Sequence, residues 1–117
     1  NKQLIKYLLK LREDRGVMLV GMSNSIQPHS QHNYDSGLYN LFDRVYLSNE
    51  IGFAKPDKRF FEYILHELGI KPGEMLFIDD MACNVEAAQN IGIACILHED
   101  NGVTTSGVSR YLEEGAV

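Results

Sequence analysis

The sequence predicts an α/β fold, in which a mostly parallel sheet is flanked by helices. Short apolar runs, typical of buried strands, alternate with longer segments in which apolar residues recur at helical spacing. Such alternation produces right-handed strand–helix–strand units and therefore parallel strands. At 117 residues without repeats or linkers, residues 1–117 are expected to form one domain. A domain of this size buries about two-thirds of its unfolded surface.

The amino-terminal half predicts one long helix and two strands. Leucine and isoleucine recur at helical spacing from Lys2 to Arg15, and Gly16 is a suitable stop. The elements predicted after it are a strand at Val17–Met22 broken by Ser23–Asn24–Ser25, an unpatterned loop at Gln27–Asn33, a short helix around Leu38–Phe42, a strand at Arg44–Leu47 and a loop at Ser48–Lys55.

The carboxyl-terminal half predicts two helices and two strands. Pro56 suits the first turn of a helix that Gly69 ends. Its buried stripe is Phe60, Phe61, Ile64, Leu65 and Leu68. The elements predicted after it are a turn at Lys71–Glu74, a strand at Met75–Asp79, a helix at Asn84–Ile91 before Gly92, a strand at Ala94–Leu97 and a Gly-, Ser- and Thr-rich tail with a final turn at Tyr111–Glu114.

Composition excludes some classes of partner. A net charge of −5 argues against a surface for nucleic acids or anionic membranes, but a local lysine and a metal still allow a phosphorylated small molecule. The sequence has no 18-residue apolar run and no signal-peptide pattern. Cys83 and Cys95 lack metal-ligand spacing and are expected to be reduced in the core, which indicates a cytoplasmic protein.

The most informative stretch is the apolar run that ends in Asp79 and Asp80, with Asn84 four residues further on. Two adjacent carboxylates repel each other and are costly to desolvate unless a cation is near. A hard divalent cation such as Mg²⁺ would lower that cost, because it prefers oxygen ligands. The alternative is that one of the two acids merely caps the following helix.

Polar groups at three strand or loop ends are expected to converge, because the carboxyl ends of parallel strands share one edge of the sheet. They are Ser23 with Asn24, Lys55, and the Asp79–Asp80 pair. A hydroxyl, an ammonium and two carboxylates would suit a phosphoryl group and Mg²⁺. Taken singly, Ser23 also fits a turn or helix cap, and Lys55 also fits a solvated surface lysine.

In order and spacing these parts resemble the haloacid dehalogenase superfamily, and most closely its phosphatase-type branch. The matching segments run Val20–Gly–Met–Ser–Asn–Ser25, Ile51–Gly–Phe–Ala–Lys–Pro–Asp57 and Leu76–Phe–Ile–Asp–Asp80 with Asn84. The resemblance implies a Rossmann-like core and a Mg²⁺ cofactor. It implies that Ser23 and Asn24 bind the phosphoryl group and that Lys55 steadies the nucleophile and the negative charge. Asp80, with Asp79 adjacent, would bind Mg²⁺, and Asn84 would support the metal's waters.

One motif of the resemblance has no counterpart. The family's first strand ends in Asp-x-Asp, which supplies the nucleophile and the acid/base, and no Asp-x-Asp occurs in this sequence. The chain is therefore expected to be the carboxyl-terminal part of a longer enzyme, without that first, central strand and without the cap. Family topology would place the missing strand between the strands that end at Ser23 and Asp79. The gap would then be closed by the neighbouring strands, by another copy or by the missing amino-terminal part.

The resulting functional expectation is a Mg²⁺-dependent phosphohydrolase that acts on a small phosphorylated metabolite through an aspartyl-phosphate. Its nucleophile would lie outside these residues, and the isolated chain would be inactive. The alternatives are a carbon–halogen hydrolase of the same fold and a non-catalytic binding or interaction module. His29 and His32 are interpreted as loop residues rather than a metal pair. His98 and Glu99 are expected to have a modest role in shaping the site.

Overall fold

The computed structural model describes residues 2–24 and 42–114. They belong to two compact units, Asn1–Ala54 and Lys55–Val117, and each is described by itself. Ser25 and the loop predicted at Gln27–Asn33 lie outside the described residues. The short helix predicted around Leu38–Phe42 also lies outside them, except for Phe42. The expectation of one domain over residues 1–117 stays a prediction.

The first unit contains a long helix, a pair of parallel strands and a short helix. In chain order these are α1 at Lys2–Arg15, β1 at Val20–Ser23, β2 at Arg44–Leu47 and α2 at Ser48–Ile51. β1 and β2 run parallel, with Val20 opposite Arg44 and Ser23 opposite Leu47. The helix and the second strand of the prediction are confirmed.

Asp43 organises the start of the strand pair. Its carboxylate accepts the Leu19 N–H at 2.7 Å and lies 3.5 Å from the Arg12 guanidinium. The first strand was predicted to begin at Val17, and this is wrong because Met18 is exposed and the Leu19 N–H bonds a side chain instead of a neighbouring strand. The strand begins at Val20 and includes Ser23.

The segment predicted as a loop at Ser48–Lys55 contains a helical turn. α2 ends at Ile51, and its C-cap Gly52 has a φ of +94° and donates its N–H to the Ser48 carbonyl at 2.9 Å. A left-handed residue at this point favours glycine, because a Cβ would be strained there.

The second unit alternates helices and strands around another parallel pair. Its elements are α3 at Lys58–Leu68, a 3₁₀ turn at Pro72–Glu74, β3 at Leu76–Asp79, α4 at Ala82–Asn90, β4 at Ala94–Leu97 and α5 at Asn101–Glu114. β3 and β4 are paired from Leu76 opposite Ala94 to Asp79 opposite Leu97. Among residues 2–24 and 42–114, β1 pairs with no strand other than β2, and β3 with none other than β4. The α/β class with parallel strands and flanking helices is confirmed.

Side chains that alternate along β3 and β4 contact helices on both faces of the strand pair. Phe77 meets the Phe61 ring of α3 at 5.1 Å between centroids, and the Cys95 thiol lies 3.6 Å from the Val85 carbonyl of α4. Side chains one residue further along a strand point to the other face, where Ile96 approaches Gly107 of α5. The sheet is therefore covered by α3 and α4 on one face and by α5 on the other.

The start of α3 differs from the prediction for Pro56. The helix begins at Lys58, and Asp57 is its N-cap, because the Asp57 carboxylate accepts the Arg59 N–H at 2.9 Å. Pro56 therefore precedes the cap instead of occupying the first turn. The carboxyl end is as predicted, with Gly69 at a φ of +69°. Phe60, Phe61, Ile64 and Leu65 are buried as predicted, whereas Leu68 is half-buried.

Two further boundaries in this unit are corrected. β3 begins at Leu76 instead of Met75. α4 begins at Ala82, so Asn84 lies inside its first turn instead of starting it. The same helix faces Asn84, Val85 and Ala88 inward and leaves Cys83 exposed, so the expectation that Cys83 is in the core is wrong. Cys95 is half-buried, and burial raises the pKa of its thiol to about 11.

The tail predicted to hold a single final turn is a 14-residue helix, α5. Glycine, serine and threonine are poor helix formers, but tertiary packing overrides that preference here. Thr104 and Val108, four residues apart, are both buried. The Asp100 carboxylate accepts the Val103 N–H at 2.9 Å, and the Tyr111 hydroxyl donates to the Gly73 carbonyl at 2.7 Å. No helix among the described residues has the length and hydrophobicity that a membrane crossing requires.

Candidate active site

A lysine and an aspartate form an ion pair at the carboxyl end of β3. The Lys55 Nζ atom donates to Asp79 Oδ2 at 2.9 Å. The two side chains are 11% and 8% exposed, so the pair is largely removed from water. A charge-assisted hydrogen bond in such surroundings is stronger than one on the surface. The prediction that Lys55 approaches the acids of β3 is confirmed for Asp79.

The local sequence explains how the two groups meet. Lys55 lies two residues before the Asp57 cap of α3, and Asp79 is the last residue of β3. Phe77 and Asp79 point to the same face of the strand because they are two residues apart, and α3 packs on that face through Phe61. The packing of α3 on β3 therefore brings the residues just before the helix to the end of the strand.

Two further donors hold the Asp79 carboxylate. The Asn84 side-chain amide donates to Oδ2 at 3.2 Å, and the Met81 backbone N–H donates to Oδ1 at 2.8 Å. Asn84 is 6% exposed. A buried amide that bonds a carboxylate fixes its orientation, because breaking the bond would leave a buried polar group unsatisfied.

These donors determine the acidity of Asp79. Burial alone would raise the pKa of this carboxyl, because it disfavours the charged form. The hydrogen bond from Lys55 opposes burial, and so do the Met81 N–H, the charge of Lys55 and the Asn84 amide. Together they lower the pKa of Asp79 below its ordinary value. Asp79 is therefore ionised at neutral pH.

Asp80 is the next residue, and its surroundings are different. It is exposed, and the Met81 side chain that follows is 54% exposed. The alternative interpretation, in which one of the two acids is the N-cap of the next helix, is wrong because the N-cap of α4 is Met81. Asp79 still bonds the Met81 N–H, so it contributes to the start of α4 as well as pairing with Lys55.

Ser23 and Asn24 belong to the first unit. Ser23 is the last residue of β1 and is half-buried, and Asn24 follows it and is exposed. Both are at the carboxyl end of a parallel strand, as predicted. Their convergence with Lys55 and Asp80 stays a prediction.

Sequence reasoning missed three contacts around Asp79. The Phe77 ring lies under Lys55, with 5.7 Å between Nζ and the ring centroid. The His98 backbone N–H donates to the Asp79 carbonyl at 2.8 Å, and its ring nitrogen Nδ1 lies 2.7 Å from the Thr104 hydroxyl. Side chains two residues apart along a strand point to the same face, so the sequence could have indicated that Phe77 lies beside Asp79. The pairing with Thr104 depended on a helix that was not predicted.

The chemistry of the donors suits a hard cation. Mg²⁺ is commonly held by one or two carboxylates, with waters and substrate phosphates completing its shell. Asp79 and Asp80 provide two adjacent carboxylates. Within residues 2–24 and 42–114, no three Asp, Glu, His or Cys side chains cluster closely enough to hold a metal by themselves. The described residues therefore fit part of a magnesium shell.

Comparison with known proteins agrees with this arrangement. The model of the haloacid dehalogenase-like hydrolase family matches residues 2–98. The chain belongs to this family. The matched range contains each residue predicted for the site, and the prediction of family and fold is confirmed.

Among curated proteins, the chain is similar to two phosphatases. It is 40% identical over 83 residues to phosphatase MT3486 of Mycobacterium tuberculosis, a match that covers 70% of this chain and 38% of that protein. It is 32% identical over 109 residues to the sesquiterpene phosphatase astK of Aspergillus oryzae, covering 90% of this chain and 54% of that protein. The chain thus spans about half or less of the length of these relatives.

A solved structure gives the same fold. A haloacid dehalogenase family enzyme from Bacteroides thetaiotaomicron, in complex with magnesium and inorganic phosphate, superposes with a TM-score of 0.75 at 29% identity. The match covers 89% of this chain and 57% of that one. Structural relatives of this chain therefore hold magnesium and phosphate.

Proposed function

We propose that this chain provides the lysine and metal-binding part of a Mg²⁺-dependent phosphohydrolase that acts on a small phosphorylated metabolite. The observation that carries the proposal is the buried Lys55–Asp79 pair, fixed by Asn84 and directly followed by the exposed Asp80. A charged ammonium and two carboxylates at the end of a parallel strand suit a phosphoryl group with its cation. Phosphatase relatives and a relative that holds magnesium and phosphate support it.

In this proposal the two carboxylates have different tasks. Asp79 already accepts hydrogen bonds from three donors, and its task is to hold Lys55 and to offer the remaining lone pair of Oδ1. Asp80 is exposed, and its carboxylate would bind the metal. Asn84 maintains the orientation of Asp79. Mg²⁺, when bound, neutralises charge on the phosphoryl oxygens.

Lys55, Ser23 and Asn24 complete the assignment for this chain. The Lys55 ammonium offsets the negative charge that develops during displacement at phosphorus. The Ser23 hydroxyl and the Asn24 side chain are assigned to the phosphoryl oxygens. Positioning and charge neutralisation account for most of the catalysis in phosphoryl transfer, so these groups would contribute without forming a covalent bond themselves.

The nucleophile is assigned to residues outside these 117. No Asp-x-Asp occurs in the sequence, and an aspartyl-phosphate needs such a carboxylate. Within the described residues, β3 has one edge without a strand partner, which supports a further strand at that position. That strand would come from an amino-terminal part of the same protein or, by self-association, from another copy. The isolated 117-residue chain is then expected to hydrolyse nothing.

The test uses the complete translated protein, meaning the product of the whole coding sequence that contains these residues. We expect it to hydrolyse p-nitrophenyl phosphate with added Mg²⁺ and to stop when EDTA removes the metal. Turnover that is unchanged in EDTA would overturn the mechanism. Halide release from a 2-haloacid without phosphate release would identify a carbon–halogen hydrolase. Binding of Mg²⁺ without either activity would identify a non-catalytic module.

A further inference from the structure

The Lys55 ammonium contacts both an aromatic ring and a carboxylate. Its Nζ atom is 5.7 Å from the centroid of Phe77 and 2.9 Å from Asp79 Oδ2. A distance below about 6 Å lies within the range in which a cation is attracted to the face of a ring. Since the Lys55 side chain is 11% exposed, water screens this attraction less than it would on the surface.

The ring is itself held in place by other rings. Phe77 is 5% exposed and packs edge to face against Phe61 at 5.1 Å, with an interplanar angle of 80°. Phe61 packs in the same way against Phe60 at 5.7 Å and 84°. Both α3 rings are fully buried. Edge-to-face contacts restrict ring rotation and tilt, so the Phe77 face has a defined position.

We propose that Phe77 is a positioning residue, whose ring holds the Lys55 ammonium against Asp79 at the site where phosphate is turned over. The catalytic part of this inference rests on the proposed function. A lysine side chain has four rotatable bonds, and the carboxylate of Asp79 restrains it at one point. The ring adds a second attraction. An aliphatic residue of similar volume would fill the space without attracting the cation.

The proposal explains why the sequence has phenylalanine two residues before Asp79. The period of two along β3 places the ring and the carboxylate side by side on one face, while Ile78 points to the other. The rings of Phe60, Phe61 and Phe77 then connect the body of α3 to the lysine that precedes it. The same buried cluster therefore stabilises the second unit and orients its one site lysine.

The first measurement needs no substitution. In the complete translated protein, the Lys55 Hε protons should show upfield ring-current NMR shifts, and the Lys55 Nζ atom should show restricted motion in ¹⁵N relaxation. Lys58, which is exposed on α3, is the internal reference and should show neither effect. A Lys55 signal as mobile and unshifted as that of Lys58 would overturn the proposal. This result does not depend on phosphatase activity, so it separates failure of this inference from failure of the proposed function.

The second measurement uses three variants. Phe77→Leu should lower kcat for p-nitrophenyl phosphate by ~10-fold while KM changes by less than ~3-fold, because the charge that Lys55 offsets develops in the transition state. Phe77→Tyr keeps the ring face, and its kcat should stay within ~2-fold of that of the original protein. Phe60→Leu removes a buried ring of the same cluster that packs on Phe61, and it should lower kcat by less than Phe77→Leu does. An equal fall in kcat for Phe60→Leu and Phe77→Leu, or no fall for Phe77→Leu, would overturn the proposal.

Discussion

The candidate site has a buried part and an exposed part that differ although they are adjacent in sequence. The buried part consists of Lys55, Phe77, Asp79 and Asn84, and its groups are tied together by contacts between them. The exposed part begins at Asp80 and continues into Met81. Two aspartates in succession thus have opposite surroundings, because the pleat of β3 turns one inward and the strand ends before the other.

The comparison teaches that a pair of acids is not one functional unit. A carboxylate whose oxygens accept three hydrogen bonds is already stabilised and has little capacity left for a further ligand. An exposed carboxylate retains all its lone pairs. We therefore expect substitutions in the buried part to affect stability first and substitutions in the exposed part to affect activity first. Four predictions address this difference in the complete translated protein.

The largest expected effect is the loss of activity in Asp80→Asn. Because this exposed carboxylate is assigned to the metal, we expect kcat for p-nitrophenyl phosphate to fall by ~10³-fold, as for other groups that neutralise transition-state charge. The free energy of unfolding should change by less than ~0.5 kcal/mol. Asp14→Asn, an exposed aspartate on α1, is the control and should alter neither quantity. Unaltered activity in Asp80→Asn would show that the metal ligand is misassigned.

The second effect is a loss of stability in Lys55→Gln. This change removes the cation that faces Asp79 in a site where the carboxylate is 8% exposed. We expect the free energy of unfolding, measured by urea titration, to fall by about 3 kcal/mol, because a buried charge is left without its partner. Lys58→Gln removes an exposed charge nearby and should cost less than ~0.5 kcal/mol. Equal effects of the two substitutions would contradict the division into two parts.

The third effect concerns pH. Since the folded protein lowers the pKa of Asp79, the ionised carboxylate stabilises the fold at pH values above the ordinary aspartate pKa of ~4. That contribution disappears as the pH falls through the lower pKa of the folded state. Asp79→Asn should therefore be about 2 kcal/mol less stable than the original protein at pH 7. The difference should shrink as the pH falls below ~4, and a difference that stays constant as the pH falls would contradict it.

The smallest effect is expected for Asn84→Leu. The substitution keeps the apolar packing of α4 and removes the amide that bonds Asp79 Oδ2 at 3.2 Å. We expect a loss of about 1 kcal/mol in the free energy of unfolding, because one hydrogen bond to a charged group is lost while apolar burial is gained. Asn90→Leu, at an exposed position of the same helix, is the matched control. A larger loss for Asn90→Leu would show that Asn84 does not support the carboxylate.

Two helices of the second unit show how far sequence reasoning reaches. α3 has a strong apolar stripe and a glycine stop, and its predicted carboxyl end and four of its five core residues are confirmed. α5 is rich in glycine, serine and threonine, and no helical pattern indicated it. Its formation depends on burial of Thr104 and Val108, and Gly107 lies close to the Ile96 side chain. Local preference is weak evidence where packing decides.

The candidate site also has features that the sequence indicated and features that only packing decided. Polar residues at strand and loop ends were sufficient to predict Lys55, Asp79 and Asp80 as candidates, because parallel strands direct their carboxyl ends to one edge. The role of Asn84 was implied by the family resemblance. The sequence could not indicate which of the two acids pairs with Lys55. That depends on where β3 ends and on the packing of α3, which brings together two residues 24 positions apart in the chain.

The sequence by itself determined the α/β class, the family and the residues that can carry the chemistry, because periodicity and residue type are local properties. The tertiary structure decided which carboxylate is buried, which lysine contact forms and that Phe77 lies beneath Lys55. It also decided that a weak helical sequence becomes α5. These outcomes depend on long-range packing and on removal of water, and neither is a property of a short segment.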